Sequence, residues 1–122
     1  MITPEIKGIY VVDVTGAVPH RATKHCVCVS VGNGKYITIN TESRPEYGEV
    51  KIKASEHAFL KGVDRYVLCA RILTREPENL LAKVGTLSDA DTKIVYLKIK
   101  ESVKIHEDDK KAILPDLWKT FK

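Results

Sequence analysis

No apolar run in this chain approaches the roughly 18 residues that a membrane-spanning helix requires, so no membrane association is expected. The N-terminus also lacks the basic and apolar regions of a signal peptide, which makes a cytoplasmic protein the expectation. Cysteine is scarce and odd in number. Cys26 and Cys28 stand one residue apart on a strand-like segment, where they cannot easily bridge, so reduced, half-buried thiols are expected there and at Cys69. Cys-x-Cys has no second Cys/His pair at zinc-like spacing, and neither a metal nor a cofactor is expected. Neither sign of charge dominates, with 20 basic and 16 acidic residues. The formal net charge of +4 permits an anionic partner such as RNA without demanding one. What remains is an ordinary globular composition at a length of 122 residues, enough for a single domain with a core that needs no staples.

The most informative stretch runs from Lys24 to Thr41. Val27, Val29 and Val31 alternate with Cys26, Cys28 and Ser30, and Ile37 and Ile39 alternate with Tyr36, Thr38 and Asn40. Period-two alternation on both sides of Gly32-Asn33-Gly34 predicts a β-hairpin. A two-residue turn would pair Cys26 with Thr41, whereas a three-residue loop would pair His25 with Thr41. Only the second puts Val27, Val29, Ile37 and Ile39 on one face, so it is preferred. His25 and Thr41 then become cross-strand neighbours, with Lys24 on the opposite face.

Further strands are predicted at Ile6 to Val14, Glu49 to Lys53 and Tyr66 to Leu73, with a polar surface loop between Thr41 and Gly48. Ser55 to Lys61 reads as one or two helical turns whose Phe59 and Leu60 plug one end of the sheet. From about residue 76 the signals turn helical. Pro77 suits a first turn and Gly85 the end of a short helix through Leu80, Leu81 and Val84. Ser88-x-x-Asp91 is a variant capping box opening a helix to about Ser102, although the β-branched run from Lys93 also fits a strand. A last short helix near Asp108 to Leu114 stops at Pro115, and Trp118 docks on the domain or on a partner. The expected fold is mainly β with C-terminal helices: a small SH3-like β-barrel of about five antiparallel strands.

Three segments resemble the PemK/MazF toxin family. They are the hairpin with its basic lead and terminal threonine, the run His57 to Ile72, and Gly85-Thr86-Leu87-Ser88 opening a helix. The resemblance implies one PemK/MazF-like barrel domain over residues 1–122. It implies a metal-independent endoribonuclease that cleaves single-stranded RNA through the neighbouring 2′-hydroxyl, leaving a cyclic phosphate and a free 5′-hydroxyl. It also implies a toxin that forms a homodimer and is neutralised by a small antitoxin protein. The family's threonine maps onto Thr41. At the family's arginine position this chain has Lys24, His25 and Cys26, and the nearest arginine is Arg21.

These residues suit the chemistry. His25 titrates near neutrality and can serve as acid or base. Thr41 can donate to a phosphoryl oxygen, and Lys24 or Arg21 can stabilise the charge that builds there. His25 and Thr41 read equally as ordinary polar residues at a hairpin's open end. Arg44 and Tyr47 in the polar loop, Lys51 and Lys53 on one strand face, and His57 are candidate RNA contacts. The lysines fit a solvent face as well, and His57 beside Phe59 and Leu60 also fits a structural role. A cysteine nucleophile is disfavoured, because His25 points to the opposite strand face from Cys26. The alternative function is a catalytically inactive barrel of the same fold, acting as an RNA- or protein-binding module.

Overall fold

The computed structural model describes residues 1–121. Its six strands are β1 (Gly8–Asp13), β2 (Thr23–Ser30), β3 (Lys35–Asn40), β4 (Glu49–Ile52), β5 (Arg65–Thr74) and β6 (Leu80–Thr86). All pair antiparallel in one open sheet of order β4-β5-β3-β2-β1-β6. Two helices follow, α1 (Asp89–Glu101) and α2 (Glu107–Trp118). The protein is therefore mainly β with C-terminal helices, but the sheet is open and has six strands where a closed barrel of five was expected.

The extra strand explains the difference. Residues 80–86 carry Leu80, Leu81 and Val84 at helix-like spacing, yet they lie along the free edge of β1, from Gly8↔Thr86 to Val12↔Leu80, with two irregularities in register. A single 3-10 turn at Pro77–Asn79 is all the helix in this region, so the helical part begins at Asp89 and not near residue 76. Gly85 does not end a helix. A Cβ there would meet the Phe59 ring at 2.9 Å, so the glycine lets the ring lie against the strand.

The hairpin keeps its predicted faces but not its predicted register. Val27, Val29, Ile37 and Ile39 join one core cluster with Val95 and Ile99 of α1 and Ile113 and Leu117 of α2. Cys26, Cys28 and Tyr36 join a second cluster with Tyr10, Val12 and Val14, on the other side of the same strands. A four-residue turn, Val31 to Gly34, and a bulge between Cys28 and Ser30 set the pairing at Cys26↔Thr38. This lies two residues from the three-residue-loop register. An even slip leaves every side chain on its face, because the side-chain period is two. Gly34 adopts φ 62° in the turn, and its carbonyl accepts from the Arg75 amide at 2.9 Å.

Helix α1 forms where the Ser88 cap predicts, and α2 begins one residue before Asp108, behind His106 as its N-cap. Ser88 Oγ accepts from the Asp91 amide at 3.2 Å, with Asp89 and Asp91 in the first turn of α1 and Lys98 and Lys100 in the last, all favourable to the helix dipole. Helix α2 runs through Pro115 instead of stopping there. Ile113 and Leu117, on either side of the proline, are both buried in the core, and that packing outweighs the lost amide hydrogen bond. Asp116 on the same turn accepts from Ser30 Oγ at 2.8 Å, tying α2 to the end of β2. Trp118 packs on the domain's own Tyr96 and Phe121, at centroid distances of 5.7 and 6.1 Å, while remaining half exposed. No helix is long and apolar enough to cross a membrane among the described residues.

Candidate functional site

At one end of the sheet β2 begins, β3 ends and β5 begins. Continuing the β2–β3 pairing outward from Cys26↔Thr38 sets His25 opposite Ile39 and Lys24 opposite Asn40. Lys24 Nζ accordingly donates to Asn40 Oδ1 at 3.2 Å. The expected His25–Thr41 pair is not formed, because the longer turn and the bulge carry Thr41 two residues past it. The β3–β5 register, Ile39↔Val67 and Asn40↔Tyr66, extends by one step to bring Thr41 opposite Arg65. Arg65 and His25 share the side of their strands that carries Val67 and Val27, and Arg65 Nη1 lies 3.2 Å from His25 Nδ1.

A guanidinium can only donate, so His25 Nδ1 is the acceptor and the ring proton sits on Nε2. Burial, followed by the Arg65 charge, pushes this imidazole below its ordinary value. Phe59 packs at 6.2 Å between centroids and contributes to that burial. Lys24 is pulled down as well, first by burial and then by the charges of Arg21 and Arg71. The outcome is a cleft of about 100 Å³ lined by Arg21, Lys24, His25, Asn40, Thr41 and Arg65, together with Thr23 and Ile39. All four residues assigned to catalysis from the sequence meet there, with an arginine that the sequence reading passed over. A hollow of about 450 Å³ in the β1–β2 loop is larger, but it is lined only by that loop's own residues, from Thr15 to Ala22.

The residues assigned to RNA contact are dispersed. Arg44 is exposed and pairs with Glu42 at 2.6 Å. The Tyr47 ring lies under the Arg71 guanidinium at 5.1 Å. Lys51 and Lys53 flank buried Ile52 on the solvent side of the β4 edge, and Lys51 faces Asp64 at 3.6 Å. His57 is only 4% exposed and belongs to the scaffold. Its Nδ1 donates to the Lys53 carbonyl at 3.1 Å, and its Nε2 accepts from the Ser88 amide at 3.3 Å. His57 thus takes the amide that the N3 side chain of a capping box would take, leaving Asp91 Oδ2 buried at 3.7 Å with no hydrogen-bond partner among the described residues. Glu56, His57 and Asp91 offer three ligand atoms within 4.8 Å of one another, but the Ser88 amide already occupies the lone pair His57 would give a metal.

Cys26, Cys28 and Cys69 are buried and free, and desolvation pushes Cys26 and Cys69 up to about 12 and Cys28 to about 11. Such thiols are unsuited to nucleophilic attack near neutral pH. The cleft thus gathers three basic side chains, Arg21, Lys24 and Arg65, with the His25 imidazole, the Thr23 and Thr41 hydroxyls and the Asn40 amide.

No protein-family model and no curated protein matches the sequence. Among solved structures the fold is similar to that of the Mycobacterium tuberculosis toxin MazF-mt6, with a TM-score of 0.60 over 81% of this chain and 98% of that one, at 14% identity. At that identity the likeness speaks to architecture alone: the chain has a MazF-like fold.

Proposed function

We propose that the protein is a metal-independent endoribonuclease toxin that cuts single-stranded RNA by attack of a 2′-hydroxyl on the adjacent phosphorus. The observation that supports this reading is the convergence of Arg21, Lys24, His25 and Thr41 on one phosphate-sized cleft. In the proposed reaction the 2′-oxygen bonds to phosphorus as its proton passes to solvent water, and the bond to the 5′-oxygen breaks. A 2′,3′-cyclic phosphate and a 5′-hydroxyl result. Thr41 donates to a non-bridging oxygen, and the cations offset the charge that grows there. Lys24 has a proton loosened by burial and by Arg21, and it is the group suited to protonating the departing 5′-oxygen. The reading includes one cytoplasmic PemK/MazF-like domain over residues 1–122, a homodimer, and neutralisation by a small antitoxin.

A second reading, an inactive RNA-binding module of the same fold, draws on a specific observation. The His25 Nδ1 lone pair is engaged by Arg65, so the cleft holds no free imidazole base. The two separate on incubation of purified protein with single-stranded RNA in EDTA. Cyclic phosphate and 5′-hydroxyl ends, lost in Thr41→Ala, support the nuclease. Undiminished cutting by Thr41→Ala rejects the assigned site, and salt-sensitive binding without cutting supports the module.

A further inference from the structure

Building on the RNA reading of this cleft, we propose that Arg65 is its phosphate-binding cation and that His25 is the positioning residue that aims it. The lead into β2 lacks an arginine at Lys24-His25-Cys26, and a guanidinium reaches the same cleft from β5, forty residues after His25.

Both ends of Arg65 are held. Its backbone opens β5 and pairs with Ile52 of β4, and its head is anchored through Nη1 on His25. Only one of its donors is committed in this way. Arg65 Nε is buried without a partner, and no carboxylate pairs with the guanidinium among the described residues. Some other cations are matched, Arg44 with Glu42, Lys35 with Asp109 and Lys83 with Glu5, and Arg75 Nε is buried without a partner as well, but of these only Arg65 lines the cleft. A half-buried guanidinium with idle donors is suited to a tetrahedral oxyanion, which its planar fork can grip at two oxygens. Thr41 lies opposite Arg65 by strand register and adds a hydroxyl on the same side of the cleft.

The arrangement needs an uncharged imidazole. A protonated His25 would lose the Nδ1 lone pair and repel the guanidinium. Burial and the Arg65 charge both disfavour that form. Around the ring, Arg65 faces it from β5, Phe59 covers one flank, and Lys24 and Arg21 lie further round the cleft. His25 is thereby removed from the acid–base role its type suggests. The ligand class is the phosphodiester of a single-stranded nucleic acid.

The test measures binding of a non-cleavable 2′-O-methyl RNA oligomer and cutting of the matching RNA by the full chain. Arg65→Lys should weaken binding about tenfold and slow cutting by about 10²–10³. Lys111→Ala, which removes an exposed cation of α2 outside the cleft, should change either by less than about threefold. His25→Asn, whose Oδ1 replaces the Nδ1 acceptor, should stay within about threefold of wild type, whereas His25→Leu should fall with Arg65→Lys. Nitrogen-15 spectra should show the Nε2–H tautomer of His25 in wild type. That readout stands if His25→Leu fails to fold. Normal binding and cutting by Arg65→Lys, or an Nδ1–H tautomer, overturns the proposal. Wild type that binds but never cuts removes the nuclease reading, while the Arg65 site is judged on the binding loss alone. Wild type that does not bind the oligomer overturns both.

Discussion

His57→Ala should cost stability and leave RNA recognition intact, and its magnitude follows from three contacts. The substitution removes the hydrogen bond to the Lys53 carbonyl and strips the Ser88 amide of its acceptor. It also opens a void beside Phe59, whose ring sits edge-on to His57 at 6.0 Å. Each hydrogen bond contributes about 1 kcal/mol, and truncating a ring this buried adds about 2 kcal/mol. The sum is about 4 kcal/mol, a large share of the roughly 5–15 kcal/mol by which such a chain is stable. With an unfolding entropy of about 2.1 cal/mol/K per residue, the melting temperature should fall by about 15 °C. His57→Gln keeps an acceptor for Ser88 and should recover about half of that. Thermal melts followed by far-UV dichroism give the shift, and RNA binding is measured well below the lower melting point. A melting temperature within about 3 °C of wild type, combined with a tenfold loss of RNA affinity, would refute the structural role and return His57 to the RNA surface.

Other outcomes follow from single features. Gly34→Ala should destabilise by about 2 kcal/mol or more, because the residue sits at φ 62° and the new Cβ would meet the Arg75 carbonyl oxygen at 2.7 Å; equal denaturant midpoints would contradict this. All three thiols should resist Ellman's reagent at pH 8 until the chain unfolds, since burial holds Cys26, Cys28 and Cys69 at about 12, 11 and 12. Prompt reaction of any one would show that its pocket opens. The lowered His25 value means that the unfolded chain binds a proton the native state refuses, so stability should fall as pH drops through the ordinary histidine range. Denaturant midpoints at pH 5.5 and 7.5 check this, and His25→Asn should flatten the difference.

Much of the architecture was legible because it is local. Alternation located β1, the hairpin and β5, and it assigned Val27 and Ile37 to one face and Cys26 and Tyr36 to the other. The Ser88 cap placed the start of α1. Failures came where distant partners decide. Leu80–Thr86 is a strand because β1 offers it a free edge, and α2 passes Pro115 because Leu117 reaches the core. The His25–Thr41 pairing failed on a bulge, which no hydrophobic pattern encodes when the slip is even. Thr41, Lys24, His25 and Arg21 were legible through the hairpin. Arg65 was not, since its place depends on β5 lying beside β3 and not beside β4 alone.

That same interleaving sets when the cleft can exist. The β2–β3 hairpin is complete by Asn40, yet the cleft at its open end is missing a wall until β5 arrives with Arg65 and docks along β3. Non-local strand pairing of this kind is slow compared with closing a hairpin. During synthesis the emerging N-terminal strands therefore present Lys24, His25 and Thr41 without Arg65, and the cleft is complete only with the later strand.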